Sequence, residues 1–183
     1  MPTQFDLIKG MNFSIMELGI KGIQNQYKNL DPWIFSFSKI KEVFTNHGYP
    51  NIITSEMDFN YAFLEIGTIE PIVTDVMGLV HKFSYKWDYT DCDNFAFLTS
   101  ALMSFLYGIN TVGVCWGNIY NNQTGAFIAA HYFNILITFN ATSHTFELYL
   151  MDSLNPGLVK IEKGVPIVLN DWRYENLNNV KYF

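Results

Sequence analysis

The sequence predicts an α+β fold, with helices in its first half and an antiparallel β-sheet in its second. Three observations carry this expectation. Apolar residues recur at helical spacing up to about residue 107, whereas dense apolar runs of strand length dominate after residue 111. Short polar segments link those runs as hairpin loops would. The stretch from Asn94 through Phe146 contains no Asp, Glu, Lys or Arg over 53 consecutive residues, as a central helix and the inner strands of a sheet would require.

Residues 4–28 read as one or two helices interrupted by Gly10, Gly19 and Gly22. Asp31-Pro32 reads as a helix start, with Asp as cap and Pro in the first turn. A helix through Ser38–Asn46 follows, stopped by Gly48-Tyr49-Pro50, and Glu70-Pro71 opens another through about Phe83. Asp91 or Cys92 begins an apolar helix to about Tyr107, ended by Gly108. Phe95, Phe97, Leu98, Leu102, Phe105 and Leu106 cover nearly all of its sides, which predicts a central buried helix. The strands expected next are Thr111–Trp116, Ile128–Phe139 and Thr145–Met151, the last two joined by Asn140–His144. Val159–Ile161 and Pro166–Leu169 extend the sheet. The whole reads as a single domain over residues 1–183, with residues 1–70 a helical elaboration and residues 71–183 the core.

Composition narrows the function. The chain carries 11 Lys and Arg against 17 Asp and Glu, a net charge of −6, and its basic residues do not cluster. Nucleic-acid binding is therefore disfavoured. Charged residues make up 15% of the chain, against about 25% for soluble domains, which raises the question of a membrane span. Gly108, Asn110, Gly113 and Gly117 break the apolar run, and no Lys/Arg cluster flanks it, so no span is expected. The first residues lack a basic segment followed by an apolar core, so no signal peptide is visible. With only Cys92 and Cys115 present, unpaired thiols in a reducing compartment are the expectation, and the location reads as cytoplasmic or virion-associated.

Within and around the charge-free stretch the titratable groups are few. Cys92 lies at a helix start, where backbone amides favour a thiolate. His131 begins a strand and Asp152 ends its hairpin partner. Antiparallel pairing with 139 near 145 sets 132 opposite 152, so His131 and Asp152 emerge at one end of the sheet. A Cys, a His and an Asp so placed have the layout of a nucleophile, a base and an orienting acid. Cys115 reads as core and His144 as a solvated loop residue. Asp88, Asp91 and Asp93 lack the glycine and terminal Glu of an EF-hand loop. Cys92, His131 and Asp152 are also a chemically allowed zinc set, but no CxxC or HExxH pattern supports it. No metal and no cofactor are expected.

Asp91-Cys92-Asp93-Asn94-Phe95-Ala96, then His131-Tyr132-Phe133-Asn134, then Leu148-Tyr149-Leu150-Met151-Asp152, resembles the transglutaminase-like branch of the papain-like cysteine peptidases over roughly residues 85–156. The resemblance implies a papain-like fold whose central helix starts at the Cys and packs on an antiparallel sheet. It implies Cys92 as nucleophile, His131 as base and Asp152 as orienting acid, with Glu147 and Asn134 as alternative third members. It places oxyanion or substrate contacts at the Cys92 amide and at Trp87, Tyr85 or Asn134. The implied activity is a cysteine-dependent hydrolase or acyltransferase that attacks an amide bond through a thioester, on a protein, peptide or cell-wall peptide. Asn94 stands where an acid is common, and Tyr132-Phe133 is bulkier than the usual pair. The alternative is the same fold kept as an inactive binding or structural module, phage and viral components included. A related cell-wall peptidase family is disfavoured, because its Asp-Cys-Ser-Gly motif is absent.

Overall fold

The computed structural model describes residues 30–52, 54–55, 58, 60–83 and 91–182. The helices expected over residues 4–28 lie outside them, as do Tyr85 and Trp87. All the elements below belong to one unit, Asp31–Phe183.

Strand β1 (Trp33–Ser36) pairs antiparallel with β3 (Asn60–Phe63), and helix α1 (Phe37–Asn46) follows β1 directly. The helix start expected at Asp31-Pro32 is thus a strand start. Trp33, Ile34 and Phe35 are aromatic or β-branched and favour extended backbone. Ser36 then becomes the N-cap of α1. Helix α2 (Ile66–Val80) begins before Glu70-Pro71, which lies inside it. Helix α3 runs Cys92–Tyr107 and ends at Gly108, whose φ of 67° is the left-handed conformation glycine tolerates best.

The remaining strands are β2 (Thr54–Ser55), β4 (Val112–Asn121), β5 (Phe127–Asn140), β6 (Thr145–Met151), β7 (Leu158–Ile161), β8 (Ile167–Leu169) and β9 (Trp172–Lys181). They form one sheet in the order β2-β9-β4-β5-β6-β7, with β8 paired to the free side of β9. Strand β8 also comes to lie beside β7, so the sheet curls into a nearly closed, six-strand antiparallel barrel. The described chain is therefore mostly β, which corrects the α+β, papain-like expectation. The physical cause is β9. Sequence reading gave it no strand, yet it pairs with β4 on one side and with β8 on the other.

One hydrophobic cluster fills the barrel. It combines Cys115, Phe133, Ile135, Ile137, Leu148, Leu150, Ile161, Tyr174 and Val180 from the strands with Ile40, Val43 and Phe44 from α1. Helices α2 and α3 pack against β5 from the other face. Residues 133–139 are consequently buried on both sides of the sheet, which is why they read as a continuous apolar run without alternation. Fully burying such side chains contributes about 1.5–3 kcal/mol each.

Helix α3 is buried along one stripe only, which corrects the central, all-round buried helix. Phe95, Ala96, Thr99, Ser100 and Met103 are buried, while Phe105 is 88% exposed. Ala96, Thr99 and Ser100 keep the middle of the stripe small, so the helix approaches the sheet closely enough to hydrogen-bond it. Ser100 Oγ donates to the Val112 carbonyl at 2.5 Å, and Asn134 Nδ2 donates to the Ala96 carbonyl at 2.9 Å. Gly113 makes the matching close approach on the opposite side of β4. A Cβ there would lie 2.6 Å from the Val180 side chain and 2.9 Å from the Tyr182 ring.

Candidate functional site

The site lies where α3 begins and the β5–β6 ladder ends. Asp91 precedes the helix, and Asn94 Oδ1 accepts its backbone N–H at 3.1 Å. This closes the first turn and leaves Cys92 as its first residue, beside helix-terminal amides that lack intrahelical partners. The ladder's last pair is Asn134↔Met151, one residue out of the expected register, because Asn140 pairs with Thr145. Asn140 Oδ1 accepts the N–H groups of Thr142 and Ser143 at 3.1 and 3.0 Å, tightening that turn. His131 and Asp152 still meet, since both lie beyond the final pair.

His131 Nε2 donates to Asp152 Oδ2 at 2.8 Å, with the two side chains 5% and 1% exposed. The half-buried Cys92 side chain lies beside the same imidazole and helps to raise its pKa. With Nε2 committed to Asp152, Nδ1 is the nitrogen left to Cys92. The ring is held edge-on by Trp172 at 5.7 Å and flanked by Phe133 at 6.3 Å. Sequence reasoning placed His131 and Asp152 at one end of the sheet and Cys92 at a helix start, and the structure joins the first two directly and sets Cys92 beside them.

Four donors surround the Asp152 carboxyl. Its Oδ2 accepts from His131 and from Tyr174 Oη at 2.7 Å, and its Oδ1 accepts from the N–H of Leu154 at 2.8 Å and of Asn155 at 3.4 Å. A group that only accepts, in a dry site, is a carboxylate. Burial alone would pull the His131 pKa down, but its hydrogen bond to the Asp152 carboxylate and the neighbouring Cys92 outweigh it and push it up to about 9. At neutral pH the ring is an imidazolium paired with a buried carboxylate. Next to Cys92, a hydrogen bond between Asp91 and Asp93, reinforced by burial and like charge, raises Asp91 to about 6.

The backing is polar and satisfied. The Ser153 carbonyl accepts from His81 Nε2, and the Ser153 and Thr99 hydroxyls hydrogen-bond at 2.8 Å. Asn155 Nδ2 donates to the Leu169 carbonyl at 2.8 Å and to Tyr174 Oη at 3.2 Å. Tyr174, Trp172 and Asn155 escaped sequence reasoning, and the only signal for the first two was an aromatic pair at alternate positions.

The other expected contacts are placed elsewhere. Asn134 spends both amide hydrogens on carbonyls, Ala96 at 2.9 Å and Gly113 at 3.3 Å, and so ties α3 to β4. Glu147 accepts from Lys160 at 2.7 Å and Tyr149 at 2.9 Å, away from His131. Cys115 is fully buried in the barrel, where desolvation pushes its thiol pKa strongly up. Both cysteines are free thiols. Among the described residues, no group of three or more His, Cys, Asp and Glu is arranged to hold a metal ion. No described helix is long and apolar enough to cross a membrane.

A second surface adjoins this end of the sheet. On the face opposite Cys115, Trp116 is 37% exposed and lies between Tyr132 of β5 and the exposed Asn178 of β9. Next along the strands, Asn118 lies opposite Glu175. Tyr120 then packs with Phe127 at 5.6 Å and under the Arg173 guanidinium at 5.6 Å.

No family model matches the chain, and no curated protein matches it. Solved structures do resemble it. A PSL1a-E64 complex superposes with a TM-score of 0.53 at 11% identity, over 81% of this chain and 51% of that one. Polyporus squamosus lectin bound to the human-type influenza-binding epitope Neu5Acα2-6Galβ1-4GlcNAc superposes with a TM-score of 0.52 at 12% identity, over 79% and 49%. The chain thus spans about half the length of these neighbours and shares a fold with part of a lectin structure. This likeness corrects the resemblance to transglutaminase-like peptidases. With it go the cysteine-dependent amide hydrolase or acyltransferase and its protein, peptide or cell-wall substrate.

Proposed function

We propose that this chain is a binding module for a carbohydrate ligand, read on the exposed face of β4, β5 and β9. The observation that carries the reading is the Trp116–Tyr132 pair, set among Asn118, Asn178 and Glu175. A pyranose ring has an apolar C–H face and a rim of hydroxyls. An exposed indole offers a flat apolar partner, and amides and carboxylates supply the donors and acceptors that orient hydroxyls. The sialylated trisaccharide carried by the lectin of similar fold supports the ligand class and is the first probe to use.

Isothermal titration with Neu5Acα2-6Galβ1-4GlcNAc and with neutral di- and trisaccharides tests this. Binding of at least one is expected, weakened about tenfold or more by Trp116→Ala. Absence of binding to every saccharide, or a Trp116→Ala affinity equal to the parent's, would overturn the reading.

A second reading concerns the thiol, and the placement of Cys92 beside the His131–Asp152 pair favours it. Cys92 is there a reactive thiol whose thiolate is favoured by the adjacent imidazolium, and Asp152 fixes the ring by accepting from Nε2. Iodoacetamide at pH 7 is expected to label Cys92 and spare the buried Cys115, as read by peptide mass spectrometry. His131→Ala should slow that labelling about tenfold or more. Equal labelling rates in the parent and the His131 variant would remove this role.

A further inference from the structure

Strand β9 brings to the site a group that the Cys–His–Asp layout does not require. Tyr174 is 2% exposed, and its hydroxyl donates to Asp152 Oδ2 at 2.7 Å, the same oxygen that accepts His131 Nε2 at 2.8 Å. Two donors thus share one carboxylate oxygen. Burial, the Asp152 charge and the hydrogen bond all push the Tyr174 pKa strongly up, so the phenol stays protonated and remains a donor. Behind it, Asn155 Nδ2 donates to Tyr174 Oη at 3.2 Å, and Asn170 Nδ2 donates to Asn155 Oδ1 at 2.6 Å. The result is a directional chain, Asn170 to Asn155 to Tyr174 to Asp152, that meets His131 and Cys92 at the carboxylate.

We propose that Tyr174 is a positioning residue that sets the proton affinity of His131 by drawing Asp152 charge away from it. A hydrogen bond to a carboxylate stabilises its negative charge and weakens its pull on any other donor. Removing the phenol hydroxyl leaves more of that charge for the imidazolium. His131 then holds its proton to higher pH. Among the described residues, the titratable groups facing His131 are Cys92 from α3 and Asp152 from the end of β6. Tyr174 acts through Asp152, and Asp91 and Asp93 flank Cys92. The inference deepens the thiol reading and rests on its site.

The test is Tyr174→Phe in the full chain, with His131 followed by NMR pH titration of its ring protons and Cys92 by its iodoacetamide rate profile. The His131 midpoint is expected to rise by about half a pH unit to one unit. Asn155→Ala, which removes the donor behind the phenol together with the Leu169 and Asn170 hydrogen bonds but leaves the phenol in place, should give a smaller shift in the same direction and serves if Tyr174→Phe does not fold. An unchanged or lowered His131 midpoint in a folded variant would overturn the proposal, because a purely structural Tyr174 lowers thermal stability without moving that titration. Repeating the titration in Cys92→Ala separates the two readings. If the Tyr174→Phe shift persists there while Cys92 of the parent resists alkylation, the thiol reading fails and the role of Tyr174 stands.

Discussion

Asp152→Ala is expected to lower the stability of the protein by about 3–5 kcal/mol in urea denaturation at pH 7. Asp152 is 1% exposed and satisfies four donors from three parts of the chain: the His131 ring, the Tyr174 phenol and the amides of Leu154 and Asn155. Truncation leaves an imidazolium buried without its counter-charge and opens the turn that follows β6. The damage comes mainly from the stranded partner and less from the lost attraction. Hence Asp152→Ala combined with His131→Ala should cost clearly less than the two single changes added together. Strict additivity would mean that the two side chains are not energetically coupled, contrary to their 2.8 Å contact. Asp152→Asn keeps acceptor capacity but cannot hold the charge, so it should fall between the parent and the Ala variant.

The site was more legible in the sequence than the fold that carries it, and particular residues explain why. A hairpin places its strand ends together even when the register is misjudged by one, so His131 and Asp152 met despite the error at Asn140. Strand β9 was invisible because its buried residues Tyr174, Leu177 and Val180 fall three apart, without the period of two that marks a strand. Asn176 and Asn179, with φ of 53° and 42°, accompany the register shifts that produce this spacing. Without β9 the strands read as an open sheet beside helices, which is the α+β pattern. The charge-free helix misled in a similar way. Composition shows that α3 lacks charge, but whether Phe105 is covered depends on the tertiary neighbours. The motif at Asp91–Ala96 records a helix start: Asn94 closes the first turn, and Cys92 and Phe95 follow from the helical period. Such a start occurs on many folds, so six residues could locate a site without fixing the family around it.

Stability is expected to fall by about 3 kcal/mol as pH rises from about 6.5 to 9, with His131 as the principal source. Its pKa stands at about 9 in the folded protein against 6.5 when unperturbed. A proton bound more tightly by the folded chain stabilises it. The contribution is therefore complete below pH 6.5, where both states are protonated, and is lost as pH climbs through the folded value. The Asp91–Asp93 pair acts in the same direction in a lower window. Asp91 is raised from 3.8 to about 6, so the folded chain also holds that proton more tightly, and stability declines between those two values. Asp91 faces water, and its share is correspondingly small. The two contributions separate by mutation. In urea unfolding between pH 5 and 9.5, His131→Gln should flatten the decline above pH 6.5 and leave the gentler slope below it. Asp93→Asn should do the reverse, because it removes the shared proton without touching the imidazole. A parent whose stability rises from pH 6.5 to 9 would mean that His131 is buried as the neutral ring. Asp152 would then be satisfied by Tyr174 and the backbone amides alone, and the imidazolium–carboxylate pair at the centre of the site would not form.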